Sequence, residues 1–164
     1  MLVSLTDLGG IREKHRGQKI VLAGGAFDIL HQGHIDFLRE LKTMGDILVI
    51  AIKTDAEIRA YKDLDRPIQN EDVRAALIDA IRYVDYTVIS PEPPPNFSPD
   101  SEPPRLEVAR QLRPDLFVSY NEHWEARRAQ LKELGVELKI IPIEKVNSTT
   151  SIIERIKNLR DKAA

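Results

Sequence analysis

The chain alternates short, continuous runs of apolar residues with longer stretches in which apolar residues recur every three or four positions. The continuous runs predict buried strands at residues 19–23, 46–52, 86–89, 116–119 and 138–143. The stretches with helical spacing predict helices at residues 33–44, 55–61, 70–81, 106–112, 125–134 and 149–160. Strands that are apolar throughout are typical of a parallel sheet with helices on both faces. The pattern therefore predicts an α/β fold, in which functional residues lie beyond the carboxyl ends of the strands.

Proline is concentrated in one stretch of the chain. Seven of the 10 prolines lie within residues 91–104. Because proline lacks a backbone donor and fixes φ, this stretch is predicted to form neither a helix nor a central strand. Each flank is too short to build a core of its own, so residues 1–164 are predicted to form one domain with a Pro-rich loop at 91–104. Two interpretations of the loop are open, a solvated surface loop and a lid over a substrate.

Composition narrows the classes of function. Lys and Arg total 24 against 26 Asp and Glu, and the net charge of −2 argues against a dedicated nucleic-acid-binding protein, which needs a basic excess to neutralise phosphates. No apolar run approaches the roughly 20 residues that cross a bilayer, and the N-terminus lacks the pattern of an export signal, so we expect a cytoplasmic protein. The absence of cysteine excludes disulfides, thiolate metal sites and cysteine nucleophiles.

The residues that follow the first long predicted strand carry the clearest chemical signal. The sequence GGAFDILHQGH runs from Gly24 to His34, so a glycine turn precedes two histidines at the start of a helix. Glycines let backbone N–H groups approach a phosphate, and a helix N-terminus adds donors and the positive end of a dipole. The G-x-G-x-x-G and G-x-x-x-x-G-K-[ST] fingerprints are absent, which disfavours a nicotinamide dehydrogenase and a P-loop enzyme.

The spacing of His31 and His34 can aim both imidazoles at one point, and Gly33 leaves room between them for a bulky polyanion. Imidazole N–H donors suit a phosphorus centre whose negative charge grows during in-line displacement. Two other interpretations are a zinc site, for which no third ligand and no H-E-x-x-H pattern is evident, and a capping histidine beside a core histidine. The coincidence of strand, glycine turn, paired histidines and helix favours phosphate chemistry.

This segment resembles the HxGH signature of the cytidylyltransferase-like nucleotidyltransferases, and the resemblance extends over roughly residues 20–156. These enzymes join a nucleoside triphosphate to a phosphorylated small molecule and release pyrophosphate. The resemblance implies a Rossmann-like parallel sheet with helices on both faces. It also implies that both histidines contact the triphosphate and stabilise the transition state. It places four neighbouring residues at the nucleotide, and these are Gly25, Ala26, Phe27 and Asp28. The backbone of the first three would lie along the phosphates, and the aspartate would shape the turn rather than hold a metal.

Three basic residues are assigned to the site by the same resemblance. Lys62 resembles the family lysine that reaches the phosphates of both substrates, a task that suits a mobile point charge. Arg74 matches a family arginine that supports the site, and we predict it to be catalytic. Arg66, which precedes Pro67, matches the heptose-phosphate adenylyltransferase branch of the family and is predicted to bind the nucleotide. Considered alone, each of the three would usually be a solvated surface charge.

A run of hydroxyl residues, Ser148, Thr149 and Thr150, begins the last predicted helix. Considered alone, these residues are either ordinary helix caps or a phosphate pocket at a helix N-terminus. They resemble the S-T-T motif of the family, which implies that they hold the nucleotide phosphates opposite the histidines.

Two segments depart from the family pattern. Where members carry a Gly-Asp pair that lines the base pocket, this chain has YNEHW at residues 120–124. We place Asn121 and Trp124 beside the base, with the tryptophan interpreted either as a core or loop aromatic or as a base-stacking platform. Trp124 with Glu125 resembles the glycerol-phosphate cytidylyltransferases with one residue inserted. The second departure is the segment at residues 143–147, which replaces an arginine-led segment of those enzymes.

The resemblance implies a nucleotidyltransferase in which a phosphate oxygen of the acceptor attacks the α-phosphorus in line. We expect Mg²⁺ to enter with the triphosphate, held by its oxygens and by water, and we assign no protein residue to a metal. ATP with a sugar phosphate is favoured by residues 5–18 and 66–68. The alternatives are CTP with glycerol 3-phosphate or a similar alcohol phosphate, and a nucleotide-binding module without chemistry. A homodimer is implied by the resemblance, and no nucleic-acid or membrane partner is expected.

Overall fold

A computed structural model describes residues 1–62, 65–98, 101–142 and 148–161 of the chain. Within these residues, six strands form one sheet in which all neighbouring strands are parallel. The strands are β1 (Leu2–Val3), β2 (Ile20–Gly25), β3 (Ile47–Ile52), β4 (Tyr86–Ile89), β5 (Leu116–Ser119) and β6 (Glu137–Ile140). Their order across the sheet is β1-β4-β3-β2-β5-β6. The predicted parallel sheet is confirmed.

Helices connect the strands in the predicted alternation. The α-helices are α1 (Leu8–Lys14), α2 (Gln32–Lys42), α3 (Asp55–Arg59), α4 (Glu71–Asp79), α5 (Arg105–Leu112), α6 (Arg128–Glu133) and α7 (Thr149–Asp161). The helix predicted at 125–134 is only partly right, because Glu122–Arg127 forms a 3-10 helix and α6 begins at Arg128. Of the helices that the structure describes, none is long and apolar enough to cross a membrane.

Two cores cover the two faces of the sheet, because successive side chains of a strand point to opposite faces. Ile20 and Leu22 of β2 enter one core, whereas Val21 and Ala23 enter the other. Helix α2 covers the second face with buried Phe37, Leu38 and Leu41. Helices α1 and α5 cover the first face with buried Leu8, Ile11, Leu106 and Ala109. The prediction of helices on both faces is thereby confirmed.

The strands differ from the prediction by more than one residue in three places. The edge strand β1 was not predicted; it pairs with Thr87 and Val88 of β4, and its two residues are too few to show a pattern. Strand β2 continues through Gly24 and Gly25, where the sequence suggested that it ends. The strand predicted at 138–143 ends at Ile140, and residue 143 lies outside the described residues.

The Pro-rich segment forms no helix or strand over its described parts, residues 91–98 and 101–104. It is not detached from the protein, because the ring of Phe97 packs edge-on against the ring of Tyr61 with centroids 5.7 Å apart. The segment ends where α5 begins at Arg105. Residues 99 and 100 lie outside the described residues.

The order of the strands marks where a ligand is expected. From β2 the chain moves outward through β3 and β4 on one side, and it later returns to β5 and β6 on the other side. In open parallel sheets, ligands bind in the crevice beyond the carboxyl ends of the strands where the order reverses. A ligand site is therefore expected among the residues that follow β2, β3 and β5.

Candidate active site

The loop between β2 and α2 has a strained backbone. Phe27 and Ile29 have φ values of 51° and 50°, in the left-handed region that glycine favours. Ile29 is β-branched, for which this region is especially unfavourable, and such a residue costs of order 1–3 kcal/mol. The two glycines predicted to form the turn, Gly24 and Gly25, lie inside β2 instead. Other contacts must therefore hold the loop in place.

Asp28, which lies between the two strained residues, anchors the loop. Its carboxylate accepts hydrogen bonds at 3.0 Å from Nε of Arg66 and from the backbone amides of Ile68 and Gln69. The side chain is 1% exposed, and the Arg66 guanidinium balances its charge through a second contact at 3.0 Å. Asp28 thus stabilises the loop through its buried carboxylate. Arg66 lies beside the loop and forms an ion pair with Asp28.

Arg74 is completely buried beneath the same loop. Its guanidinium donates to the backbone carbonyls of Ala26 and Lys53 at 2.6 and 2.8 Å, which ties the end of β2 to the end of β3. It also donates to the carbonyl of Gln69 at 2.9 Å and to Oδ1 of Asp55 at 2.7 Å. The prediction of a catalytic Arg74 is therefore corrected. Arg74 is a positioning residue, because its donors are directed at the protein itself.

His31 and His34 stack on each other at the start of α2, with ring centroids 3.8 Å apart and planes inclined by 21°. The stacking follows from the sequence, because His31 is the N-cap and His34 lies three residues further along the same face. Phe27 packs against His34 from the loop, at 5.3 Å between centroids. Both Nδ1 atoms are buried and meet no hydrogen-bond partner among the described residues. A ligand oxygen would supply the partner that a purely structural histidine finds in the protein.

Burial lowers the pKa of both histidines. The pKa of His34 falls from 6.5 to about 4, chiefly because its ring is desolvated and secondly because His31 lies beside it, whereas Asp28 opposes the change. At neutral pH both imidazoles are therefore uncharged, and each keeps one N–H donor. Two neutral rings stack without repulsion and still offer donors to a phosphate.

Acid is expected to destabilise the protein through His34. Its pKa is about 4 in the native protein against an ordinary value of 6.5, so between these values only the unfolded chain takes up the proton. The stability linked to this group is fully present above pH 6.5 and is lost as the pH falls toward 4. Urea unfolding across this range should show a smaller loss for His34→Gln than for the wild type. Equal losses, or an NMR titration midpoint of His34 at 6.5 or above, would contradict the pKa shift.

The N-terminus of α7 lies against the histidine loop. The hydroxyl of Thr149 donates a hydrogen bond at 2.5 Å to the backbone carbonyl of Asp28, 121 residues away in the sequence. Ser148 caps the helix, since its Oγ accepts a hydrogen bond from the amide of Ser151 at 3.1 Å. Thr150 lines a cavity described below. The structure thus brings the two segments with predicted phosphate-binding roles together.

Two cavities open at the carboxyl edge of the sheet, and both are lined by Tyr61 and Lys62. The α7 cavity, of about 820 Å³, has Arg66 and Thr150 in its lining. The β5 cavity, of about 550 Å³, is lined by residues that follow β2, β3 and β5 and by residues of the Pro-rich segment. Its lining is Ala26, Lys53, Ile58, Tyr61, Lys62, Ser101, Pro103, Arg105, Tyr120, Asn121, His123, Trp124, Ala126 and Arg127.

The β5 cavity contains the two residues predicted to lie beside the base. Trp124 is 4% exposed and packs on Phe117 with ring centroids 4.2 Å apart, while the guanidinium of Arg105 lies 5.5 Å from its ring. Asn121 accepts a hydrogen bond from the amide of His123 and so caps the 3-10 helix after β5. Trp124 is thus a core aromatic that also forms part of the cavity wall. Its stacking on a base stays a prediction.

Lys62 lies at the junction of the two cavities. Desolvation lowers its pKa, the positive charge of Arg66 adds to that effect, and Asp28 opposes it. A lysine in the linings of both cavities can reach a group in either of them. The role of Lys62 toward two phosphate-bearing substrates stays a prediction, and the structure shows that this residue is in the lining of both cavities.

Sequence reasoning missed a charged cluster in the β5 cavity. Glu57 is completely buried, and its Oε1 lies 2.9 Å from Nζ of Lys53 and 2.9 Å from Nη1 of Arg105. Nζ of Lys53 also lies 4.1 Å from the ring centroid of Tyr61, a cation–π contact. The available signal was a lysine immediately after an apolar strand, with a glutamate one helical turn further on. Nothing in the sequence pattern linked that pair to Arg105.

Gly24 is required by a neighbouring side chain. A Cβ on Gly24 would lie 2.4 Å from Cδ of Arg105 and 2.5 Å from the carbonyl oxygen of Ala51. The missing side chain therefore lets the stem of Arg105 cross the end of β2 and reach Glu57. A Cβ on Gly25 would instead meet the ring of Phe27 at 3.1 Å. The glycine pair serves packing at the end of β2 rather than a turn.

Comparison with known proteins identifies a family and several relatives. The family model described as cytidylyltransferase-like matches residues 22–155. A protein named bifunctional protein HldE from Helicobacter pylori (strain Shi470) is 35% identical over 144 residues, which are 88% of this chain and 29% of that protein. The protein of the same name from Campylobacter concisus (strain 13826) is 31% identical over 160 residues, 98% of this chain and 32% of that protein. The chain thus spans less than a third of the length of these curated relatives.

Solved structures show the same fold. The crystal structure of a lipopolysaccharide core biosynthesis protein from Thermoplasma volcanium GSS1 matches with a TM-score of 0.62 and 30% identity, covering 80% of this chain and 100% of that one. Pantoate-beta-alanine ligase from Francisella tularensis, complexed with beta-gamma ATP and beta-alanine, matches with a TM-score of 0.56 and 15% identity, covering 96% of this chain and 77% of that one. The second likeness concerns the fold alone.

Proposed function

The chain belongs to the cytidylyltransferase-like family of nucleotidyltransferases, and from that premise we propose that it transfers the nucleoside monophosphate of ATP to a sugar phosphate and releases pyrophosphate. The relatives named HldE and the lipopolysaccharide core biosynthesis protein support a phosphorylated sugar as the acceptor. Arg66 and Pro67, which match the heptose-phosphate adenylyltransferase branch, support ATP as the nucleotide.

The hydrogen bond from the Thr149 hydroxyl to the Asp28 carbonyl carries the proposal. It holds the N-terminus of the 13-residue helix α7 against the loop that leads to His31. A helix N-terminus offers free N–H groups and the positive end of a dipole, both of which favour a phosphate. Hydroxyls, imidazoles and helix N-termini thus lie on adjoining elements. A triphosphate bound here would have donors on both sides.

In the proposed reaction, an oxygen of the acceptor phosphate attacks the α-phosphorus of ATP and forms a new P–O bond. The bond between the α-phosphorus and the bridging oxygen of the β-phosphate breaks, and pyrophosphate leaves with that electron pair. His31 and His34 would donate N–H groups to the oxygens on which negative charge grows. Lys62 would neutralise part of this charge from the junction of the cavities. This direct displacement needs no covalent enzyme intermediate.

Mg²⁺ would enter with the triphosphate, bound mainly by phosphate oxygens and water. The buried carboxylates around the site already contact cations: Asp28 binds Arg66 and two backbone amides, and Oε1 of Glu57 binds Lys53 and Arg105, while its Oε2 has no partner among the described residues. Groups of three or more His, Asp or Glu side chains suited to a metal ion do not occur in the described residues. We propose that the metal is carried by the nucleotide, where its chemistry would be charge neutralisation on the phosphates.

A pyrophosphate-release assay tests the proposal. The four ribonucleoside triphosphates are each combined with a panel of sugar phosphates and alcohol phosphates, including glycerol 3-phosphate. Release that requires ATP and a sugar phosphate together is the expected result. Release with CTP and an alcohol phosphate would favour the alternative suggested by Trp124 and Glu125. Nucleotide binding without turnover of any pair would instead indicate a binding module.

Lys62→Ala is expected to lower both kcat and the affinity for the phosphate-bearing substrates, because one mobile positive charge is lost where both cavities meet. Steady-state kinetics with each substrate varied in turn measures both effects. Lys132→Ala, an exposed lysine of α6 outside both cavities, serves as the matched control and should leave the kinetics unchanged. A Lys62→Ala enzyme with wild-type kinetics would remove Lys62 from the site.

A further inference from the structure

The lining of the β5 cavity is cationic. Among its described residues it contains four basic side chains, Lys53, Lys62, Arg105 and Arg127, and no carboxylate. Glu57 lies beneath the lining, completely buried, and can neutralise only one of the two charges that it touches. The Lys53–Glu57–Arg105 cluster therefore keeps a net positive charge at the wall of a cavity of about 550 Å³. An anion in the cavity would balance it.

The Lys53–Glu57–Arg105 cluster is held in place by several specific contacts. Glu57 fixes both cations at 2.9 Å, and Tyr61 covers the ammonium of Lys53. Gly24 leaves the space through which the stem of Arg105 passes. Side chains of Lys53 and Arg105 are 19% and 8% exposed, so they are largely desolvated and yet reach the cavity surface. Charge-assisted hydrogen bonds are strongest in such surroundings.

The position of the cluster relates it to one substrate. Lys62 separates the α7 cavity, with Arg66 and Thr150, from the β5 cavity, with Lys53 and Arg105. The proposed triphosphate site, at the histidine loop and the start of α7, adjoins the α7 cavity through Thr150, and neither His31 nor His34 is in the lining of either cavity. Lys53 and Lys62 are close enough for their positive charges to affect each other, and desolvation, then Arg105, lower the pKa of Lys53 to about 8 while Glu57 opposes them. A second phosphate beside Lys62 would thus contact Lys53 and Arg105.

We infer that Lys53 and Arg105 form the subsite for the phosphate of the acceptor, a phosphate monoester dianion whose oxygen attacks the nucleotide. The inference rests on the proposed function for the identity of the ligand as acceptor. The anion subsite itself rests on the cavity, the buried Glu57 and the two cations. The Pro-rich segment contributes Ser101 and Pro103 to the same cavity and packs Phe97 on Tyr61, so it forms part of the wall of this subsite.

Binding of inorganic phosphate in the presence of a saturating, non-hydrolysable ATP analogue tests the inference, because the analogue fills the triphosphate site. Phosphate binding is measured by calorimetry for the wild type, Lys53→Met and Arg105→Met. Each variant leaves Glu57 paired with the remaining cation, so both are expected to fold. We expect phosphate affinity to fall about tenfold or more in each, with the affinity for the ATP analogue changed less than about threefold. Lys132→Met is the matched control, with no change expected.

Each outcome decides the inference. The inference is overturned if both variants bind phosphate as tightly as the wild type, or if the wild type does not bind phosphate at millimolar concentration. It is also overturned if the variants lose as much affinity for the ATP analogue as for phosphate. Acetate bound as tightly as phosphate would overturn the assignment to a phosphate and indicate a carboxylate subsite. Lys53→Arg, which keeps the charge, should retain part of the phosphate affinity that Lys53→Met loses.

If phosphate binding depends on Lys53 but no substrate pair turns over, the proposed function fails and the anion subsite stands. If turnover occurs and the KM of the acceptor is unchanged in both variants, the subsite fails and the function stands.

Discussion

Replacing His31 or His34 with alanine is expected to lower kcat by about 10²–10³, the loss typical of one donor to a transition state. The two rings stack at 3.8 Å and their buried Nδ1 atoms have no partner among the described residues, so we expect the pair to serve a ligand rather than the fold. The KM values are expected to change little, because the charge that the imidazoles would stabilise develops mainly in the transition state. Pre-steady-state measurement of nucleotidyl transfer checks the chemical step directly.

The control for the histidine variants is His15→Gln. His15 contacts Tyr86 and Gln18 away from the site, and its replacement should leave kcat unchanged. Circular dichroism and urea unfolding must show that the His31 and His34 variants are folded. Parallel losses of stability and activity in both variants would support the interpretation of the pair as a cap and a core histidine. A kcat within a few-fold of the wild type would exclude a catalytic role.

Arg74→Met is expected to lower the free energy of unfolding by about 3–5 kcal/mol, because it removes one partner from a buried ion pair and leaves three carbonyls without their donor. This is a large share of the about 5–15 kcal/mol that stabilises an ordinary domain. Activity should fall as well, since Arg74 joins the backbones that carry the histidine loop and Lys53. Urea unfolding and turnover measured on the same samples check both effects.

Arg82→Met is the control for Arg74, because Arg82 is exposed just beyond α4 and its loss should change stability by no more than about 0.5 kcal/mol. Arg74→Lys keeps the charge but not the planar fork, so an intermediate loss is expected. A destabilisation by Arg74→Met as small as that of the control would show that its four hydrogen bonds contribute little. Full activity in a destabilised Arg74→Met would contradict its role in positioning the loop.

The central fold could be predicted because its central strands contain continuous apolar runs, of which β3 is the clearest. Residues 47–52 of β3 are all apolar and buried, a pattern that is typical of a strand covered on both faces. The edge strand β1 escaped prediction, because two residues carry no periodicity. The helix predicted from 125 began as a 3-10 helix, since spacing in the sequence does not distinguish the two hydrogen-bond patterns.

The site was predictable where chemistry is local in the sequence. His31 and His34 are three residues apart, and their stacking follows from helical geometry. The left-handed backbone at Phe27 and Ile29 left no signal, because neither residue favours that conformation and distant groups impose it. Long-range partners explain the other differences. Arg74 looked catalytic from its motif, and its burial is a consequence of tertiary packing.

The charged cluster escaped prediction for the same reason. Glu57 and Arg105 are 48 residues apart, and only the fold brings the start of α5 over the end of β2. Gly24 hinted at a close approach, but the sequence suggested a phosphate there rather than an arginine stem. A glycine at the end of a buried strand therefore indicates that another group packs closely against the backbone, and the structure is needed to identify that group.

A crystal structure of the protein with Mg²⁺ and a non-hydrolysable ATP analogue is the most direct test of the central claim. The claim is that the imidazoles of His31 and His34 and the hydroxyls at the start of α7 bind one triphosphate between them. Phosphate oxygens within hydrogen-bond distance of a histidine ring nitrogen and of Ser148, Thr149 or Thr150 are the predicted result. A triphosphate that contacts neither the histidine pair nor the hydroxyl run would contradict the claim.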